Sequence, residues 1–360
     1  MLTRRSIVIG HRGAAGYRPE HTLASYELAA QLGADFMEPD LVVTSDGVLV
    51  CRHEPEIGGT TDVASHPEFA VRKTTKMLDG VVITGWFAED FTLAELKTLR
   101  AVERLPQIRQ QVTLFNGRYE IPTFQEVLDL RARLSGELRR RLGVYPETKH
   151  PTFFRNAGLA LEPRLLECLR RNRLNHPDAP VFLQSFEVTS LKQSRAAGLR
   201  TKAVQLLAAS GVPFDTVAAG CGPSYADLST PAGLRGVARY AQGIGPDKLQ
   251  VIPRRADGTL AIPPRWSTMP MTRAWSCIPT HSVPRTISCR STTRAQRRAV
   301  SMGGQSTNRS PIFTLASTGC SPTKPTSASP PAPSTAPAHR PFGALRPVTR
   351  RRRRTPGLTQ

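Results

Sequence analysis

No aspartate or glutamate follows Asp257 in this chain of 360 residues. The stretch after it, 258 to 360, carries 16 lysines and arginines and no acid, so most of the formal net charge of +21 sits there. Other absences exclude whole classes of protein. The six cysteines form no C-x-x-C pair and have no zinc-type Cys/His spacing, which excludes a disulfide framework and a structural zinc. No run approaches the ~18 to 20 apolar residues that crossing a bilayer requires. The opening MLTRRSIVIGHRG offers only Ile7, Val8 and Ile9 before a glycine and a charged loop, too little for a secretory signal. As written, the chain is expected in the cytoplasm. No G-x-G-x-x-G follows that first apolar run, which argues against a dinucleotide-binding sheet.

What is present divides at about residue 262. The first part, with near-balanced charge and frequent apolar runs, is expected to fold around a core as one domain, 1 to 262. The remainder, 263 to 360, holds 15 of the 31 prolines among Ser, Thr, Ala and Arg, a composition that buries too little surface to offset chain entropy. It is expected to be a disordered basic tail.

In the first part, short β-branched runs alternate with segments of helical period. Strands are expected at 6–10, 35–43, 47–53, 142–149, 180–186 and 201–207, and helices at 22–33, 124–142, 158–172 and 188–198. Such alternation implies parallel βαβ units. Residues 54 to 120 break the rhythm and read as a lobe inserted after an early strand. The fold class expected is α/β, a (β/α)8 barrel of the TIM type whose last two strands are absent or degraded.

Chemistry collects at the strand ends. Ile9 leads to His11 and Arg12, Met37 to Glu38 and Asp40, Val50 to His53, and Tyr145 to Glu147 and Lys149. In a barrel, the C-terminal ends of the strands converge on one mouth. Glu38 and Asp40 are two apart and face one side of a regular strand. With Glu147 they make three hard oxygen donors without a thiolate, which favours Mg²⁺ or Ca²⁺ over zinc. His11 and His53 suit proton transfer near neutrality, while Arg12 and Lys149 supply fixed positive charge for a phosphoryl group. Together these describe phosphodiester cleavage. The plainer alternative is that Glu38 and Asp40 form a solvated or ion-paired edge and that His53 is structural. His66, His150 and His176 are expected to be surface or packing residues.

The stretch GHRGAAGYRPEHTLASY (10–26) resembles the opening signature of the glycerophosphodiester phosphodiesterase family, HRG followed by P-E-[NH]-T. MEPDLVVTSDGVLVCRHE (37–54), YPETK (145–149) and FLQSFE (182–187) are similar to later blocks in the family's order, and TGWFAEDFTLAELKTL (84–99) to its inserted lobe. The resemblance implies His11 and His53 as the acid/base pair, Glu38, Asp40 and Glu147 as ligands of Ca²⁺ or Mg²⁺, Arg12 and Lys149 on the phosphate, and Glu20 bracing the HRG loop. It further implies attack by a glycerol hydroxyl on phosphorus, departure of the alcohol, and hydrolysis of a cyclic phosphate to glycerol 3-phosphate. The PEHT spelling and the long insert point to the periplasmic or secreted subgroup. Glu54 departs from the family's usual Asp after the histidine and keeps the acid.

The tail lacks the family's closing H-P-Y-T-x-R and G-x-D-G-x-x-T-D motifs. Read one base earlier, with free first bases chosen to fit, the codons for 270–283 permit A-H-D-A-G-L-V-V-H-P-Y-T-F-R and those for 316–323 permit G-I-D-G-V-L-T-D. The tail is therefore expected to be the last two strands translated out of frame. Two other readings stand beside an active phosphodiesterase acting on a small glycerophosphodiester: an inactive remnant of one, and a basic protein binding nucleic acid or anionic membrane through TRRRRRTP (349–356). Nucleic acid is not the expected partner, because the tail has few aromatics to stack on bases.

Overall fold

The structure is a computed structural model that describes residues 6–262 and the backbone of Ser276–Cys277. The chain divides into a unit of Met1–Gln305 and a unit of Ser306–Gln360, and every described residue lies in the first. The expected tail and its out-of-frame motifs fall outside the described residues, apart from that one dipeptide.

Twelve strands are described in chain order: β1 Ile9–His11, β2 Phe36–Glu38, β3 Asp40–Val43, β4 Leu49–Cys51, β5 Thr74–Leu78, β6 Val81–Gly85, β7 Gly143–Val144, β8 Glu147–Thr148, β9 Phe182–Ser185, β10 Lys202–Leu207, β11 Gly243–Pro246 and β12 Ser276–Cys277. β2 and β3 are one strand interrupted at Pro39, and β7 and β8 one strand interrupted at Pro146. A proline has no amide hydrogen for the ladder, but its carbonyl remains. Pro39 O accepts from Glu147 N and Pro146 O from Gln184 N, each at 2.9 Å. With those joins, β1, β2/β3, β7/β8, β9, β10, β11 and β12 pair in parallel in chain order. This is a (β/α)8-type barrel with seven positions filled. Among the described residues no strand bridges β12 back to β1.

Helices at Leu23–Gln31, Phe124–Glu137, Leu161–Arg171, Val188–Ala196 and Pro231–Val237 lie between the strands. The Phe124 helix starts where Thr123 and Glu126 form a capping box. It ends short of the expected residue 142, just before Arg139 takes a left-handed conformation at φ 48°.

Two strand readings need correction. The run 47–53 is not a parallel barrel strand, because β4 folds back antiparallel on β3. Gly47 at φ 83° makes the reversal. The sequence does not predict β11, Gly-Ile-Gly-Pro, because two glycines and a proline hide a strand from propensity. The insert carries a hairpin, β5 and β6, turned at Asp79 (φ 48°) and Gly80 (φ 84°).

The barrel interior follows the period of two along each strand. Phe36, Glu38 and Asp40 share one face, as do Tyr145, Glu147 and Lys149 on the next strand and Phe182, Gln184 and Phe186 on the one after. At one end the aromatic members pack together, with Phe36 and Phe182 ring centres 5.1 Å apart and Tyr145 edge-on to Phe182 at 6.1 Å. Val204 and Leu206 complete this floor. The alternate residues, among them Met37, Leu41, Val43, Val144 and Leu183, point outward and form the main core with helix residues such as Leu128, Leu165 and Leu191.

Candidate active site

Above the aromatic floor the register brings the polar residues into one layer. Asp40 pairs with Glu147, Glu147 with Gln184, and His11 with Glu38. One carboxylate oxygen from each of Glu38, Asp40 and Glu147 lies within 4.8 Å of the others, and all three side chains are buried. The expectation that the two strand carboxylates share a face and meet Glu147 therefore holds in the geometry.

Two cations flank the trio. Arg12 takes a left-handed backbone (φ 59°), and Gly13 continues it at φ 85°. A Cβ on Gly13 would come within 2.4 Å of Ser25 Oγ, so only glycine lets the loop approach the first helix this closely. In that conformation the Arg12 amide donates to Glu38 Oε2 at 2.8 Å and its guanidinium donates to both Glu20 oxygens at 3.3 and 3.2 Å. Arg12 Nε stands 3.6 Å from Asp40. Lys149 Nζ donates to Glu147 Oε1 at 3.0 Å and to His53 Nε2 at 3.3 Å.

His53 is delivered by the loop after β4, from an antiparallel return and not from a barrel strand end. Its Nδ1 lies 2.6 Å from Glu54 Oε1. Because the ammonium donates to Nε2, the ring presents a lone pair there and carries its hydrogen on Nδ1. His11 is half-buried at the end of β1. Glu20 is buried, braced by Arg12 and by Arg104 Nε at 3.2 Å.

The electrostatics follow from burial and proximity. Burial and the neighbouring Asp40 and Glu147 push Glu38 well above the usual carboxylate range. Glu147 is pushed up to about 7, by burial first and then by Asp40, against the pull of Lys149. Asp40 goes the other way: burial resists its ionisation, but Lys149, His53 and His21 outweigh it. Glu20 falls to about 2, since Arg12, His21 and Arg104 overcome its burial. Burial and Lys149 lower His53 to about 4 and so hold it neutral. Burial opposes the Lys149 charge, yet Glu147 and Asp40 hold its pKa above the ordinary value.

The structure adds four residues that sequence reasoning missed. His21 is fully buried, with Nδ1 2.7 Å from Tyr26 Oη and Nε2 2.9 Å from Asp40 Oδ2. A carboxylate only accepts, so Nε2 donates and Nδ1 accepts from the phenol. Gln184 Nε2 donates to Glu38 Oε1 at 3.0 Å. Arg52, fully buried, donates to the carbonyls of Cys51, Thr60, Glu20 and His21 and so clamps the P-E-H-T turn. His150, expected at the surface or in packing, sits at the mouth between Asp79 (2.6 Å) and Glu54 (2.9 Å). Only the P-E-H-T motif itself pointed at one of the four, His21.

Three buried hard-oxygen donors beside an arginine, a lysine and a neutral imidazole define a hydrolase centre for a phosphoryl substrate. The pattern of the glycerophosphoryl diester phosphodiesterase family matches residues 11–258, and the chain belongs to that family. A glycerophosphodiester phosphodiesterase of Arabidopsis thaliana is 36% identical over 70% of this chain and 68% of its own length. One from Haemophilus influenzae is 30% identical over 67% of this chain and 68% of its own. A solved structure from Silicibacter pomeroyi, assigned as a glycerophosphoryl diester phosphodiesterase, shares the fold at a TM-score of 0.50 with 23% identity, covering 69% of this chain and 77% of that one. The enzyme class is therefore phosphoric diester hydrolysis on glycerophosphodiesters. No described helix is long and apolar enough to cross a membrane.

The donor set fits the divalent ion on which this family depends. Asp40 Oδ1 is buried and accepts no hydrogen bond from the described residues, and the oxygens around it are carboxylates without a thiolate.

Proposed function

We propose that residues 1 to about 262, with 54–120 as an inserted lobe, form the catalytic domain, and that its site residues divide the labour as follows. Glu38, Asp40 and Glu147 would hold Ca²⁺ or Mg²⁺, which when bound supplies charge to neutralise the phosphoryl oxygens. Arg12 and Lys149 orient the phosphate as fixed cations, and Glu20 keeps the Arg12 guanidinium in place. His53, neutral and with Nε2 held by Lys149 Nζ at 3.3 Å, accepts the proton of the attacking glycerol hydroxyl at Nε2 as Lys149 turns to the phosphate. Glu54, beside Nδ1, stabilises the imidazolium so formed. His11 protonates the departing alcohol oxygen. The cyclic phosphate left behind is opened by water with the two histidines exchanging roles, and glycerol 3-phosphate is released.

The observation that carries this reading is the buried trio of carboxylates flanked by two cations and His53. Its test is release of glycerol 3-phosphate from glycerophosphodiesters by the full chain, with EDTA and then with Ca²⁺ or Mg²⁺ restored. Activity should vanish and return, and His11→Ala and His53→Ala should each lower kcat by ~10²-fold or more. Turnover that ignores both chelator and substitutions overturns it.

A further inference from the structure

His53 and His150 share one carboxylate. Glu54 Oε1 lies 2.6 Å from His53 Nδ1, while Glu54 Oε2 accepts from His150 Nε2 at 2.9 Å. The other ring nitrogen of His150, Nδ1, donates to Asp79 Oδ2 at 2.6 Å. Asp79 turns the β5–β6 hairpin, so a row of partners runs from the tip of the inserted lobe to the base. We propose that His150 is a positioning residue: its ring holds Glu54 beside His53 and ties the hairpin tip to the catalytic loop while Lys149 leaves Nε2 for the phosphate. The inference rests on the phosphodiesterase reading and on the part His53 plays in it.

Three observations support this role. Both partners of the ring are carboxylates, which only accept, so both nitrogens donate and the ring is an imidazolium. Burial and the adjoining Lys149 oppose that charge, yet Asp79 and Glu54 outweigh them and lift the ring to about 9. Glu54 needs such a hold: its side chain is 39% exposed against 18% for His150, so water competes for its oxygens. Left to solvent, the carboxylate could turn away from His53. Finally, His150 takes a left-handed backbone at φ 44° and ψ 48°, a conformation that a residue with a Cβ keeps only where its surroundings over-determine it. With each N–H committed to a carboxylate, the ring has no donor left for substrate, and its influence on the reaction passes through Glu54.

The test has two arms on the full chain. His150→Gly removes the ring at a backbone that glycine adopts freely, and Asp79→Asn weakens only the outer partner. In EDTA, amide hydrogen exchange at 78–81 should quicken about tenfold in both variants while the barrel strands stay protected. With metal restored, His150→Gly should lower kcat on a glycerophosphodiester about tenfold and Asp79→Asn about threefold, with KM within about twofold of wild type, since neither touches the carboxylate trio, Arg12 or Lys149. In a Glu54→Gln background His150→Gly should cost no more than about twofold, because its effect passes through that carboxylate. Should His150→Gly lose its near-ultraviolet circular dichroism, Asp79→Asn carries both arms. A kcat equal to wild type, a loss confined to KM, or the same fold-loss with and without Glu54 overturns the positioning of the base. Unchanged exchange at 78–81 overturns the tie to the lobe. A wild type that hydrolyses no glycerophosphodiester would sink the activity reading, and the exchange arm would still decide the tie.

Discussion

Replacing His21 with leucine removes the buried ring that connects the P-E-H-T turn to the metal-binding carboxylates. The side chain is fully buried and makes two hydrogen bonds, accepting from the Tyr26 phenol at 2.7 Å and donating to Asp40 Oδ2 at 2.9 Å. Leucine has a similar volume, so the loss is polar and leaves little cavity. A buried bond to an ionised carboxylate is worth about 1.5–3 kcal/mol, and a stranded buried hydroxyl costs about 1–3 kcal/mol. His21→Leu should thus lower the unfolding free energy by about 3–5 kcal/mol, read from urea titrations in EDTA. Asp40 would also lose the partner that orients it, and outer-shell partners of metal ligands typically carry ~10–100-fold in affinity. Calorimetric titration with Ca²⁺ or Mg²⁺ should show that loss. An unfolding free energy within about 0.5 kcal/mol of wild type, together with unchanged metal affinity, would refute the role given to His21.

Asp40→Asn should abolish detectable divalent-ion binding and reduce turnover by ~10³-fold or more, since it removes the trio's most readily ionised ligand; calorimetry and a glycerol 3-phosphate assay check both. Gly13→Ala should cost ~2 kcal/mol or more and lower Tm, because it adds a Cβ against Ser25 at a left-handed position. His150 is held between Asp79 and Glu54, which raise it to about 9 against its burial. The folded state therefore binds the proton more tightly than the unfolded one. This contribution is fully present below about pH 6.5 and is lost as pH rises through about 9. Unfolding free energies of wild type and His150→Gln measured between pH 6 and 10 should converge at the alkaline end, and a constant gap would contradict the pairing.

The parts of the fold written in local sequence were legible, and those set by distant partners were not. The runs containing β2/β3, β7/β8, β9 and β10 are β-branched or aromatic and were placed within a few residues. The carboxylate trio was found because a spacing of two fixes a common face whatever surrounds it. β11 escaped because packing from both sides, and not propensity, makes Gly-Ile-Gly-Pro a strand. β4 is not distinguishable from a barrel strand by composition, which does not reveal whether a run returns on its neighbour or crosses over. Gln184 and Arg52 look unremarkable in sequence, and each matters only through partners such as Glu38 and the Glu20 carbonyl.

The raised affinities of Glu38 and Glu147 for protons have a consequence for how the centre comes into being. Three like charges packed into one buried layer would oppose the docking of β7/β8 against β2/β3, which brings Glu147 in from more than a hundred residues away. A proton on Glu38 and, below about pH 7, one on Glu147 remove that opposition, with Asp40 left as the trio's anion between Arg12 and Lys149. The proton thus serves as a placeholder: the chain can assemble its own receptacle first, and loading the ion becomes an exchange of acid for metal, reversed whenever the surroundings turn acidic.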